Sequence, residues 1–259
     1  MGTYNPTRRN RNIGTAARGH GKNNRLVIPR PRNDRIYYES LTSFEIEVHT
    51  VHGQSVSFIR ESLQDNWCHS CSISDVLRVL DGVSASDLES LNCILFRQPT
   101  RKQMIVSPTW GRLTYYATVG VPGERDVYAG PLITLEACCD SQILKWSKSL
   151  NLESQKELQR LRDDGHIVEE RSRHFLISTS EQTARNTQLY RTLPHEIGHW
   201  VDYLEKVERP SKLRPGSWSE LDARYFSRPS SEREAFAHRY ADTLRRDLEI
   251  RELIPFEPQ

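Results

Sequence analysis

The chain has 259 residues, of which 36% are hydrophobic and 27% are charged, and its formal net charge is +2. This length allows one large domain or two small ones. No run of about eighteen apolar residues occurs, so we expect no membrane-spanning helix and no membrane partner.

Cysteine usage and the first residues of the chain bear on the cellular compartment. The chain has five cysteines, an odd number that is typical of reduced thiols, and its N-terminal residues contain no apolar segment of the Sec type. We therefore expect an intracellular, cytoplasmic protein. The sequence contains no feature that distinguishes this location from non-classical secretion.

Charge is distributed unevenly along the chain. Residues 1–35 contain nine Lys/Arg and one acid, Asp34, which leaves −6 for the other residues because the total is +2. This segment has few apolar residues to bury, so we expect a disordered basic arm. Its charge would attract nucleic acid or an acidic partner surface, and the simpler interpretation is a solvated tail.

The first half of the chain has patterns typical of strands. FEIEVHTVHG and QSVSFIRE alternate apolar and polar residues over residues 44–61 and predict a β-hairpin. SISDVLRVL predicts a short helix that is capped by Ser72 or Ser74 and ends near Gly82. Further strands are expected at NCILFR, KQMIVS, LTYYATVG and PLITLEA, which are residues 92–97, 102–107, 113–120 and 131–137. Together these segments predict an N-terminal α+β unit over residues 36–135.

The second half changes to helical spacing. Apolar residues recur every three or four positions between Asp140 and Asp164 and predict a helix there, followed by a strand at HFLISTS, residues 174–180. SEREAFAHRYADTLRRDLEI predicts a last helix that starts at Ser230 or Ser231, with Ser231 and Glu234 as a capping box. We therefore expect an α+β chain whose second domain, residues 136–259, is mainly helical with a small sheet.

The segment LPHEIGHWVDYLEKV carries the pattern HExxH, with histidines at 195 and 199. Residues four apart on a helix differ by roughly 40° in direction, so His195 and His199 point the same way, at a distance suited to one Zn²⁺. Glu196 lies about 100° around the helix and is free to face a water molecule beside the metal. The pattern thus predicts one zinc ion per chain, with Glu196 as the catalytic base.

A third protein ligand has to complete such a site. The metzincin extension needs glycine at 202 and His or Asp at 205, but this chain has Asp202 and Glu205. The remaining candidates are glutamates of the last helix, Glu232 and Glu234.

HEIGHWVD, followed after 35 residues by the EAFA of residues 234–237, resembles the gluzincin type of zinc metallopeptidase. The resemblance extends over about residues 170–245 and is to lethal-factor-like and ImmA/IrrE-like peptidases. It implies a zincin-like domain over residues 136–259, Glu234 as the third ligand, and hydrolysis of a peptide bond in a specific protein target. It also implies that the substrate lies beside an edge strand, for which HFLISTS is the candidate. The chain departs from thermolysin-like members by having His238, rather than aspartate, four residues after Glu234.

Four other residues are candidates for supporting roles. Asp202 follows His199 by three residues and would accept the second ring N–H of a ligand histidine. Tyr225, His238 and Tyr240 would stabilise the oxyanion.

Three further interpretations stay open at this stage. In the first, the chain is a catalytically idle zincin-fold regulator that binds partners through residues 1–135, although a protein that only binds has no chemical need for Glu196. Cys68-His69-Ser70-Cys71 would be half of a structural zinc site, but no second pair with that spacing follows it. Residues 8–35 would bind nucleic acid, but no recognised reader motif accompanies their charge.

Overall fold

A computed structural model describes residues 38–100, 103–104, 109–121, 123–139 and 143–258. The predicted basic arm, residues 1–35, lies outside the described residues. Residues 37–259 form one compact unit, and the boundary predicted between residues 135 and 136 falls inside it. The fold is α+β, as the sequence predicts.

The strands form three sheets. They are β1 (Tyr38–Ser40), β2 (Phe44–Val51), β3 (Gln54–Glu61), β4 (Trp67–Cys68), β5 (Cys93–Arg97), β6 (Gly111–Gly120), β7 (Asp126–Glu136), β8 (Cys138–Cys139), β9 (Ile143–Ser147), β10 (Ile167–Glu170) and β11 (His174–Ser178). The main sheet has six strands in the order β1-β6-β7-β5-β3-β2, and the smaller sheets have the orders β10-β11-β9 and β4-β8.

The helical segments are α1 (Ile73–Gly82), α2 (Leu152–Asp163), α3 (Glu181–Thr187), α4 (Leu193–Tyr203), α5 (Arg209–Leu213), α6 (Trp218–Ser227) and α7 (Ser230–Ile250). Two π-helical turns, Gln188–Thr192 and Leu204–Glu208, join α3, α4 and α5 without a break. No helix of the described residues is long and apolar enough to cross a membrane.

The elements predicted from alternation in the first half are confirmed, with one exception. β2 and β3 form the predicted antiparallel hairpin, and strands occupy the predicted positions at NCILFR, LTYYATVG and PLITLEA. Ser72, rather than Ser74, caps α1, since its side chain accepts a hydrogen bond from the amide of Asp75. The strand predicted at KQMIVS is wrong at its two described residues, Gln103 and Met104, which are helical.

The helix predicted between Asp140 and Asp164 is also wrong over its first part. Ile143–Ser147 is a strand in which Leu144 and Trp146 are half-buried and the residues between them are exposed. The helix begins only at Leu152, where the side chain of Asn151 accepts a hydrogen bond from Ser154. Pairing with β11 explains the difference, because the backbone groups of this segment form hydrogen bonds with that strand. The alternation typical of a strand extends over only five residues here.

The strand at HFLISTS is confirmed as β11, His174–Ser178. It lies at the centre of its sheet, between β9 and β10, so both of its edges are already paired. The role predicted for it, a free edge that receives the substrate, is therefore wrong.

One hydrophobic core joins residues from both halves of the chain. Apolar side chains of the main sheet, including Phe58 and Ile133, belong to the same buried cluster as Ile197 and Trp200 of α4. Helix α4 therefore packs with one face on the sheet, and its other faces are available to neighbouring helices.

Gly198 allows α4 and α7 to approach closely. A Cβ atom at this position would lie 3.0 Å from both the Cα and the carbonyl oxygen of Ala237. These are backbone atoms, so any side chain at 198 would force the two helices apart. This contact sets the distance between the HExxH motif on α4 and the glutamate on α7.

Candidate metal centre

The HExxH motif lies in a helix that contains a proline. In a regular α-helix the ring of Pro194 would clash with the carbonyl four residues earlier, that of Tyr190. The chain widens here, because Gln188–Thr192 is a π-turn in which the amide of Leu193 bonds to the carbonyl of Gln188. Such π-turns interrupt helices mostly as single turns and often at functional sites.

Glu234 faces both histidines of the motif. Its Oε2 lies 3.3 Å from Nε2 of His195, and its Oε1 lies 3.5 Å from Nε2 of His199. The predicted capping box at the start of α7 is wrong, since no side chain caps this helix. The carboxylate of Glu234 points at the histidines instead.

The carboxylate of Glu234 spans the two imidazoles. Two ligand atoms that each lie about 2.0–2.2 Å from a tetrahedral ion are separated by roughly 3.3–3.6 Å. The two N–O distances, 3.3 and 3.5 Å, are of that size, and they end on different oxygens of Glu234. Two imidazole nitrogens and one carboxylate are a donor set found in catalytic zinc sites.

The rival ligand, Glu232, lies elsewhere. It is exposed, and its Oε2 accepts a hydrogen bond of 3.3 Å from Nε of Arg228. The structure therefore brings Glu234, and not Glu232, to the histidines, as the resemblance implies.

The protonation of Glu234 and His199 follows from their contact. Hydrogen bonds from His195 and then His199 hold the pKa of Glu234 far below its ordinary value. Burial lowers the pKa of His199, but its bond to Glu234 and the nearby Glu196 outweigh burial, so the pKa is raised from 6.5. In the metal-free protein, both shifts therefore favour the charged forms of Glu234 and His199.

Glu196 is buried and held from one side. Its Oε2 accepts a hydrogen bond of 2.7 Å from the backbone amide of Leu113 on β6. Burial raises its pKa above the ordinary 4.5, although His195 and His199 oppose that shift. A carboxylate with a raised pKa is suited to accepting and returning a proton near neutral pH.

His238 joins the site. Its ring centroid lies 4.4 Å from that of His195, and ligand atoms of His195, Glu234 and His238 all lie within 4.8 Å of one another. Burial, and then the neighbouring His195 and Arg160, lower its pKa to about 4, so the ring is neutral at pH 7. Nη1 of Arg160 approaches Nε2 of His238 to 3.5 Å. His238 is therefore a third imidazole beside Glu234, and it stays a candidate for stabilising an oxyanion.

The other supporting residues have different partners. The prediction that Asp202 binds a ligand histidine is wrong: its oxygens accept from Lys206 and, at 3.0 Å, from Arg228. Because Arg228 lies just before α7, this buried carboxylate ties the start of α7 to α4. Among the described residues, neither Nδ1 of His195 nor Nδ1 of His199 has a hydrogen-bond partner.

The two tyrosine candidates point away from the metal position. The hydroxyl of Tyr240 donates to Oδ2 of Asp87 at 2.8 Å. The hydroxyl of Tyr225 lies 3.3 Å from that of Tyr115, inside a buried aromatic group. The structure therefore gives both tyrosines packing roles and leaves His238 as the oxyanion candidate beside His195 and Glu234.

A cleft of about 1070 Å³ opens over the site, and His195, Glu196, Glu234 and His238 lie in its wall. Its lining combines large apolar side chains with charged side chains of α2 and α7. The apolar residues include Trp67, Trp110, Leu144 and Trp146, and the charged residues include Glu157, Arg160, Arg239 and Asp242. The cleft is large enough for several residues of a peptide.

β6 supplies a strand edge next to Glu196, which sequence reasoning missed. β1 pairs with β6 only at Thr118–Gly120, so along Gly111–Tyr116 no described strand pairs on that side. The amide of Leu113 in this stretch is the donor to Glu196. No sequence signal reveals this contact, because it is made by a backbone group 83 positions away from the motif.

The cysteine half-site is not a metal site in this fold. Cys71 donates to Oε1 of Gln188, His69 bonds to the carbonyl of Glu61, and Cys68 lies beside Cys138. Within the described ranges, only His195, Glu234 and His238 form a group of three or more side chains suited to a metal.

Comparisons with protein families, with curated proteins and with solved structures find no match to this chain.

Proposed function

We propose that this protein is a zinc-dependent endopeptidase that hydrolyses a peptide bond in a protein or peptide substrate. His195, His199 and Glu234 hold one zinc ion per chain, and Glu196 is the general base. The observation that carries the proposal is the placement of the Glu234 carboxylate at 3.3 and 3.5 Å from the two Nε2 atoms of HExxH. The resemblance to gluzincin peptidases agrees with that ligand set.

A zinc ion held by His195, His199 and Glu234 would supply Lewis-acid chemistry, that is, polarisation of the substrate carbonyl and a lower pKa for bound water. Glu196 accepts the proton of the attacking water and returns it to the leaving amine. The amide of Leu113 holds the carboxylate in position, and burial raises the pKa of Glu196, which favours acceptance of the proton. His238, neutral at pH 7 and paired with Arg160, donates to the substrate oxygen where negative charge develops.

The substrate binds as an extended strand along the β6 edge, Gly111–Tyr116. An exposed strand edge gives main-chain hydrogen bonds to a peptide of any sequence, and neighbouring pockets select its side chains. The indole rings of Trp110 and Trp146, which line the cleft, are suited to a bulky apolar side chain of the substrate. This placement replaces β11, whose edges are both paired.

The proposal extends to the cellular location, the specificity and the partners of the protein. The protein acts inside the cell, and its specificity is for one or a few protein targets. An acidic partner or nucleic acid would bind residues 1–35 through their positive charge.

A catalytically idle metal-binding regulator is the second candidate, and His238 is the observation that favours it. If His238 joins His195, His199 and Glu234, the ion has four protein ligands, which is the arrangement of structural sites. The absorption spectrum of the Co²⁺-substituted protein separates the two cases. A spectrum that changes with added azide indicates an open position, and one that changes with His238→Ala indicates that His238 is a fourth protein ligand.

The first experiment measures the zinc content of purified protein alongside His199→Ala, Glu234→Ala and the matched control Glu232→Ala. We expect about one zinc per chain in the wild type and in the control, and loss of zinc in the other two. A wild-type protein that stays metal-free when zinc is supplied would rule out the peptidase.

A further inference from the structure

Two thiols far apart in the sequence lie side by side in the fold. Cys68 and Cys138 are directly paired on the antiparallel strands β4 and β8, and their Sγ atoms are 3.6 Å apart. Directly opposite residues of antiparallel strands have Cα atoms about 4.5–5.5 Å apart, and disulfides form at Cα distances of about 4.4–6.8 Å. The backbone therefore already has the spacing that a disulfide requires.

The surroundings suit oxidation of this pair. Cys68 is half-buried, so solvent reaches it, whereas Cys138 is only 4% exposed. Oγ of Ser70 lies 2.9 Å from Sγ of Cys138, so its hydroxyl is able to donate to a developing thiolate. An accessible thiol next to a protected resolving thiol is the arrangement of cysteines that oxidise reversibly.

The other three cysteines are placed differently. Cys71 is buried and its thiol donates to Oε1 of Gln188 at 3.1 Å, and Cys93 is fully buried in the sheet. Cys139 follows Cys138 directly, so its side chain points to the opposite face of β8. Its strand partner is Trp67, not a cysteine.

We propose that Cys68 and Cys138 are a site of reversible oxidation by hydroperoxides. The Cys68 thiolate attacks one peroxide oxygen, the O–O bond breaks, and a sulfenic acid and hydroxide form. The Cys138 thiol then attacks the sulfenic sulfur, an S–S bond forms, and water leaves. Overall, two thiols and one hydroperoxide give one disulfide, one water and one water or alcohol, so the two electrons lost by sulfur reduce the peroxide.

This site is next to the proposed active site but independent of it. Trp67 and Cys138 both line the cleft that contains His195. β8 follows β7 in the chain. At the end of β7, the carbonyl oxygen of Glu136 accepts a hydrogen bond of 2.6 Å from Nε2 of Gln188. Gln188 lies in the π-turn before the HExxH helix. A disulfide would fix this wall of the cleft covalently across 70 residues of chain.

The test uses hydrogen peroxide on the full chain, purified in reduced form. We expect the number of free thiols to fall from five to three per chain, with recovery of all five after dithiothreitol. Mass spectrometry of the unreduced digest should identify a peptide pair linked through Cys68 and Cys138. A disulfide between two chains, a link through another cysteine, or only irreversible sulfonic acid would overturn the proposal.

Single variants provide the controls. Cys68→Ser should keep its four thiols after the same treatment. Cys138→Ser should fall from four to three, because the sulfenic acid at Cys68 has no resolving thiol, and the neighbouring Cys139→Ser should fall from four to two. Loss of two thiols in Cys68→Ser would overturn the assignment. Because the wild-type digest identifies the linked residues directly, the result holds even if one variant folds poorly. None of these measurements depends on zinc or on peptidase activity.

Discussion

Glu196 is the residue on which the proposed chemistry depends most directly. Glutamine at this position keeps the shape of the side chain and an oxygen for the amide of Leu113, but it cannot accept a proton. We expect Glu196→Gln to bind zinc normally and to cleave a peptide library about 10²–10⁴-fold more slowly, the usual contribution of a general base. Glu205→Gln, an exposed change on the same helical segment, is the matched control and should keep wild-type activity. Equal rates for all three proteins would remove Glu196 from the mechanism.

The ion pair between Glu234 and His199 makes the stability of the metal-free protein depend on pH. The pKa of Glu234 is lowered from 4.5, so its contribution is present above that value and is lost as the pH falls. The pKa of His199 is raised from 6.5, so its contribution is present below 6.5 and is lost as the pH rises through the higher folded-state value. The pair therefore stabilises the protein between these limits.

Urea unfolding of the zinc-free wild type and of Glu234→Gln measures this effect. We expect the variant to be less stable than the wild type near pH 5.5, between the two ordinary pKa values, and the difference to shrink near pH 9. Glu232→Gln is the control, because Glu232 contacts Arg228 instead of a histidine. A difference between wild type and Glu234→Gln that is the same at both pH values would show that the pair does not titrate as described.

At the scale of elements, the packing of α4 on α7 positions the third ligand. Alanine is normally favoured over glycine within a helix by about 1 kcal/mol. At Gly198 the added Cβ would meet backbone atoms of Ala237 at 3.0 Å, and overpacking of this kind costs roughly 1–3 kcal/mol. We expect Gly198→Ala to lower the free energy of unfolding by about 1 kcal/mol and to weaken zinc binding by roughly tenfold, because Glu234 moves away from the histidines.

Chemical denaturation and a competitive zinc chelator measure both quantities. Glu205→Ala is the control, since it also introduces alanine but on an exposed position of the same helical segment. A gain in stability for Gly198→Ala would show that α7 yields easily and that the close approach does not position Glu234.

The sequence predicts the elements with clear periodicity or caps. Alternation over residues 44–61 predicts the hairpin, and the spacing of apolar residues predicts α1 and α7. It fails at Ile143–Ser147, where five residues are too few to separate a strand from a helix and where pairing with β11 decides. It also fails at Ser231, whose capping pattern with Glu234 is a local alternative to the long-range contact with the histidines.

In the site, too, local geometry is predictable from the sequence and long-range contacts are not. His195, Glu196 and His199 belong to one helical turn, so their common direction follows from local geometry. Glu234 required the resemblance, since two glutamates of the last helix satisfy the spacing. The edge of β6 and the tie between Asp202 and Arg228 depend on tertiary contacts, which leave no pattern in the sequence.

At the scale of the whole molecule, one zinc ion would link two helices that lie apart in the sequence. His195 and His199 belong to the helix that packs on the main sheet, and Glu234 belongs to the last helix, so the ion would connect the shared core to the C-terminal helix. A ligand that binds only the folded state stabilises it by about 4 kcal/mol when its concentration is a thousand times its Kd. Since about 1 kcal/mol changes Tm by roughly 2–4 °C in a protein of this size, we expect chelation to lower Tm by on the order of 10 °C.

Thermal unfolding with and without a chelator measures the shift, and added zinc should restore the higher Tm. Glu234→Gln separates a specific effect from a general one: because it removes one ligand, its Tm should respond much less to the chelator, while Glu232→Gln should behave as the wild type does. If the wild type and Glu234→Gln respond equally, the stabilising ion lies elsewhere. If neither responds and the wild type contains no zinc, the side chains form no zinc site, and both the peptidase and the metal-binding regulator are ruled out.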